Sequence, residues 1–135
     1  MTQLPQASVY VLESQSHQPH LNKFMEISIH LRTLEAMFYV LIQERKHSPI
    51  YIVLPRMIAQ YFGIKGIVNK KHAATRLVEK FVNSSVYTPM GNTLVVSQPC
   101  MQQFYSQKKR DDMSDSFLQA VAFLEWRYMS HFLQL

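Results

Sequence analysis

The stretch Phe24–Leu54, FMEISIHLRTLEAMFYVLIQERKHSPIYIVL, changes its period near its end. Phe24, Ile27, Leu31, Leu34, Phe38 and Leu41 recur at steps of three and four, which is one stripe of an α-helix. The stripe predicts a helix from about Lys23 to Lys46, with Asn22 as its N-cap and Ser48-Pro49 ending it. Ile50–Leu54 is then apolar at every position, the pattern of a strand buried on both faces. Working outward, Ser8–Glu13 (SVYVLE) reads as another such strand, followed by a polar loop, Ser14–Asn22, that carries Pro19. Strand, helix and strand in that order form the unit of a parallel α/β sheet. Two strands are too few to make a covered parallel sheet. The chain therefore reads as the back half of a larger α/β fold.

Downstream the signals are helical. Pro55 opens a short helix ending near Gly63, with Ile58 and Phe62 facing inward. Asn69 caps a further helix, Lys70–Val82, whose apolar side is Ala73, Ala74, Leu77, Val78 and Phe81. Val86–Val96 is irregular around a turn at Pro89-Met90-Gly91-Asn92, and a helical turn follows at Met101–Tyr105. The last helix is expected from about Asp112 to Phe132, with Phe117, Val121, Leu124 and Tyr128 inward and Trp126 in the core. No internal repeat or low-complexity tract is present, so the 135 residues are expected to form one domain.

Composition removes several functions. Apolar residues make up 47%, enough for a core, while three glycines leave no Gly-rich phosphate loop. Cys100 is the lone cysteine, which excludes an internal disulfide and a cysteine-rich zinc site. The six histidines (His17, His20, His30, His47, His72 and His131) are scattered and supply no third zinc ligand beside His17 and His20. No apolar run is long enough to span a membrane, and Met1–Ser8 lacks the basic start and apolar centre of a secretory signal.

The charges are unevenly placed. Fourteen Lys and Arg against nine Asp and Glu give +5 and a pI near 9.4. Eleven of the cations fall between Arg45 and Arg110, where Glu79 is the only acid. Such a run is either a solvated surface or a face for phosphate backbone. All three aspartates of the chain lie in Asp111-Asp112-Met113-Ser114-Asp115, directly behind Lys108-Lys109-Arg110. One reading is helix capping and the macrodipole. Another is metal chemistry: Asp112 and Asp115 share a helix face, and with Glu13 at a strand end they offer the hard oxygen ligands that Mg²⁺ prefers.

PQASVYVLES, ISIHLRTLEAMFYVLI, NKKHAATRLVEKFV and KKRDDMSDSFLQAVAFLEW, in that order, resemble the ribonuclease H-like fold of mitochondrial Holliday-junction resolvases. Within that superfamily the chain most resembles the C-terminal, resolvase-like domain of the mitochondrial transcription elongation factor family, from about Leu4 to Trp126. The resemblance implies a partial ribonuclease H-like fold, its last two parallel strands plus helices, without the first three strands and first helix. Carried over, Glu13 matches the resolvase strand glutamate, and Asp112 and Asp115 match the final-helix acids, with Asp111 as a substitute for Asp112. The first-strand aspartate has no match, because Met1–Ala7 contains no acid.

Two functions follow from the resemblance. The first is a binding module without nuclease activity, resident in the mitochondrial matrix at the nucleoid. It would support processivity of the mitochondrial RNA polymerase through polymerase and nucleic-acid contacts, without a cofactor and as a homodimer. Lys70, Lys71, Lys108, Lys109 and Arg110 would hold phosphates. The alternative is a truncated Mg²⁺-dependent Holliday-junction resolvase, a structure-specific endonuclease using Glu13, Asp112 and Asp115 as catalytic and metal ligands.

Overall fold

Pro49 and Pro55 bracket the second strand, each acting through a fixed φ and a missing N–H. A computed structural model describes residues 6–14, 25–46, 48–67, 69–83 and 85–129. It is a mixed α/β chain that divides into two compact units, residues 1–55 and 56–135. Among the described residues no helix is long and apolar enough to cross a membrane. The expected cap Asn22, the loop around Pro19, and His17, His20, His47 and His131 lie outside the described residues.

The first unit is strand, helix and strand: β1 (Tyr10–Glu13), α1 (Met25–Lys46) and β2 (Ile50–Val53). The strands pair parallel with Tyr10 opposite Ile50 and Glu13 opposite Val53. Bonds beyond the ladder extend the pairing. Tyr10 N–H donates to Pro49 O at 3.0 Å and Ser14 N–H to Val53 O at 2.8 Å. Ser48 Oγ donates to Ala7 O at 2.9 Å. The expectation of burial on both faces fails: β1 is half-buried throughout, and Ile52 in β2 is 52% exposed while Val53 beside it is buried. A parallel strand is buried twice only where helices cover both faces, and among its described residues this unit has one helix. Helix α1 is itself largely uncovered. Ile42 is its buried apolar side chain, whereas Ile27, Leu31, Leu34, Phe38 and Leu41 are exposed.

Helix α2 (Pro55–Tyr61), which lies in the second unit from Arg56 onward, stops at a left-handed Gly63, φ +68°. Ile64 N–H bonds to Ala59 O at 2.9 Å and Gly63 N–H to Gln60 O at 3.1 Å, the paired bonds of a Schellman cap. The accompanying apolar contact is Ile64 against the cluster that holds Ile58. Helix α3 (Lys70–Val82) has the predicted limits, although Asn69 at its N-cap position makes no side-chain capping bond. A turn follows in which Gly91 N–H bonds to Thr88 O at 2.8 Å. Helix α4 (Gln98–Ser106) is longer than the single turn expected, with Pro at its start. Helix α5 covers Asp111–Leu124, and Glu125–Met129 continues it as a π-helical turn.

The core of this unit is Ile58, Ala74, Val78, Phe81, Val82, Phe104, Leu118 and Ala122. The face of α5 agrees with expectation at Val121 and departs from it at Leu124 and Tyr128. Ser114, Leu118, Val121 and Ala122 are its buried residues, whereas Leu124 and Tyr128 are exposed and Phe117 is half-buried. Small residues decide this, because Ala74 and Ala122 let α3 and α5 approach closely while Leu118 fills between them. At the far end Glu125 is 5% exposed yet fully hydrogen-bonded. Tyr61 Oη donates to it at 2.6 Å, Asn92 Nδ2 at 2.7 Å, and Thr88 Oγ1 also donates. Trp126 packs edge-on to Tyr61 and, half-buried, lies against this core rather than within it.

Candidate nucleic-acid interface

Helix α3 buries Ala74, Val78 and Phe81, so its opposite side, with His72 and Arg76, faces water, while Lys71, Thr75 and Glu79 stand on the flank turned toward α5. The turn between α4 and α5 brings Lys108, Lys109 and Arg110 against them. Arg110 holds that turn in place. Its Nη1 donates to Glu79 Oε1 at 2.8 Å. Its guanidinium also lies over Phe104 and Tyr105, 5.6 and 5.5 Å from the ring centroids. The result is an open cleft of about 430 Å³ lined by five cations against Glu79 and Asp111.

The aspartates behind the cleft are not equivalent. Asp111 receives Lys71 Nζ at 3.0 Å and has Lys109 Nζ at 3.7 Å. The Lys71 hydrogen bond is foremost in holding its carboxyl below the usual range. Asp112 is exposed and pairs with Lys109 at 3.3 Å, which in turn lifts the Lys109 ammonium. Asp115 lies one turn along α5 from both. Desolvation first, then the charges of Asp111 and Asp112, push its carboxyl up. Among the described residues no group of three or more His, Cys, Asp or Glu side chains is placed to hold a metal ion. Glu13, half-buried at the end of β1, belongs to the other unit.

Of the five cations named from sequence, Lys71, Lys108, Lys109 and Arg110 line one cleft, and exposed Lys70 does not. Lys109 and Arg110 are engaged by carboxylates, as is Lys71. Lys108 has no ion pair among the described residues. Arg76 has none either, and sequence reasoning left it out of the site together with His72. Spacing could have found both: His72, Arg76 and Lys80 are four apart and stand opposite the buried Ala74 and Val78.

Comparison with known proteins adds a relative to this geometry. The chain is similar to a mitochondrial transcription elongation factor. That protein, from Danio rerio, is 25% identical over 134 residues, covering 93% of this chain and 37% of the relative. The chain thus spans little more than a third of the length of the elongation factor it matches. The similarity supports a relation to the elongation-factor family, and because it takes in most of this chain it includes both α3 and α5. No family model matches the sequence. No solved structure matches it either.

Proposed function

We propose that this chain is a ribonuclease H-like domain of a mitochondrial transcription elongation factor, working in the matrix at the nucleoid. It would support processivity of the mitochondrial RNA polymerase by contacting both the polymerase and the nucleic acid of the elongation complex. The polymerase and the compartment come from the similarity to the Danio rerio elongation factor, and the strand–helix–strand start followed by helices suits a ribonuclease H-like half-sheet. The nucleic-acid contact rests on one observation: a cleft with five cations, of which Lys108 and Arg76 have no ion pair among the described residues. A processivity factor must hold nucleic acid without reading it, and phosphate contacts do this. Asp111 and Asp112 are engaged by Lys71 and Lys109, which suits a binding module. We read α1, with its exposed apolar residues, as the surface on which two copies pair.

The test is filter retention of short duplex DNA by the full chain across a salt series. Each of Lys108→Ala and Arg76→Ala should flatten the slope of log K against log salt by about 0.9. Retention that ignores salt, or slopes unchanged in both variants, would remove the nucleic-acid contact from this cleft.

A further inference from the structure

Helix α3 separates two concavities. On one flank is the cationic cleft. On the other is a cavity of about 610 Å³ with Phe62, Ile64, Ile67 and Leu77 as its apolar wall. His72 and Arg76 form the ridge between them and line both, and Lys80 completes the rim of the second. Among the described residues no carboxylate lines this second cavity.

The apolar wall follows from backbone chemistry. Gly63 reverses the chain after α2, and Gly66, φ +82°, bends it again, so that residues 62–67 return along α3. Phe62 is fixed edge-on to Tyr61 at 5.2 Å and to Phe81 at 6.0 Å. Ile67 is different: it lies outside the apolar core and is 44% exposed. A large aliphatic side chain left on the rim of a cavity, with cations on the facing side, fits a ligand that is flat and apolar on one part and anionic on the next.

We infer that the two cavities together bind single-stranded nucleic acid. The phosphates lie in the cleft at Lys71 and Lys108 and over Arg76, and one unstacked base seats against Phe62, Ile64, Ile67 and Leu77. The inference rests on the nucleic-acid reading above and adds the form of the ligand. A duplex keeps its bases stacked inside and has none to offer a side pocket, whereas a single strand presents phosphates and π-faces side by side. A bare anion would leave the apolar wall unused, and an apolar peptide would leave Arg76 and Lys80 unused.

The full chain is to be titrated with oligoadenylate and oligodeoxyadenylate of about ten nucleotides, and with a DNA backbone of equal length lacking its bases. Base-bearing strands of either sugar should bind about tenfold more tightly than the abasic one. Ile67→Ala should weaken the base-bearing strands about fivefold and leave the abasic strand unchanged. Lys108→Ala should weaken all three alike. Because Ile67 is outside the core, loss of folding does not confound it, and an unchanged thermal midpoint verifies this. Equal affinity for the abasic strand, or an Ile67→Ala variant that binds all strands as the parent does, overturns the base pocket alone while salt-dependent retention survives. Failure to retain any strand overturns the proposed function with it.

Discussion

Arg110 Nη1 lies 2.8 Å from Glu79 Oε1, and this bond joins the turn that opens α5 to the exposed side of α3. The cleft keeps its shape through it, which separates Arg110 from the freer Lys108 in role as well as position.

Arg110→Ala should therefore act on stability first. The pair is partly exposed and so is worth little alone, but the aromatic contacts add to it, for a total of about 1 kcal/mol. Lys108→Ala should change stability by less than about 0.5 kcal/mol. Urea unfolding of the two variants checks the contrast, and equal midpoints would refute it.

Asp115 gives a pH dependence of unusual sign. Its carboxyl is raised in the folded chain, so between the ordinary aspartate value, about 3.9, and the raised one the folded state binds more protons than the unfolded. Its ionisation therefore costs stability, and that cost is complete above the raised pKa. Asp115→Asn should raise the thermal midpoint at pH 7, and the gain should fade as pH falls through the raised value and be gone below about 4. Thermal scans across pH check it; a variant less stable than the parent at neutral pH would count against this account.

Glu125 behaves oppositely. Burial pushes its carboxyl up, but hydrogen bonds from Thr88, Tyr61, Asn92 and the Met90 backbone together hold it below the usual range. Its contribution is present above the ordinary glutamate value, about 4.3, and is lost as pH falls through the depressed folded value. Tyr61→Phe removes one donor and should cost about 1–2 kcal/mol at neutral pH, with a smaller deficit in acid. Denaturant titrations of this variant at both pH values give the comparison.

The inward face of α5 can be tested by truncation. Leu118→Ala should cost about 2–5 kcal/mol, because Leu118 is fully buried. Leu124→Ala, at a half-exposed position, should cost under about 1 kcal/mol. Similar losses in both would restore the aromatic-led face expected from sequence.

Self-association is the remaining expectation. Sedimentation of the full chain should show a species heavier than the monomer, and Phe38→Glu on the exposed side of α1 should dissociate it. A parent chain that sediments as a monomer at all concentrations would end the proposal of a homodimer.

Much of the secondary structure was legible because its signals were local. The stripe from Ile27 to Leu41, Pro55 at a helix start and Gly63 at its end each act within a few residues, and α1, α2 and α3 have close to the expected limits. Burial was less legible because it depends on neighbours. Ile50–Leu54 looks the same whether one face or two is covered, and only the sheet's surroundings decide that Ile52 is exposed. On α5, aromatic residues drew the inward face toward Phe117 and Tyr128, while the close approach to α3 selects Ser114, Leu118 and Ala122. The cations of the site were half legible. Lys108-Lys109-Arg110 stands out as a run, but Arg76 enters through helical phase on an element whose apolar side attracts the attention.

Helix α5 is keyed at both ends by polar groups. Near its start Ser114 Oγ meets Thr75 Oγ1 at 3.4 Å and Arg110 O at 2.7 Å. At its end the π-helical turn delivers Glu125 to its three side-chain donors. An apolar stripe alone would let the helix slide by a turn and find similar packing, since one aliphatic contact resembles the next. Two keys roughly three turns apart admit a single position, because a one-residue change in length rotates one of them by about 100° away from its lock. The length of α5 is thus fixed like the spacing of a caliper, and insertions or deletions between Ser114 and Glu125 should be far less tolerated than substitutions there.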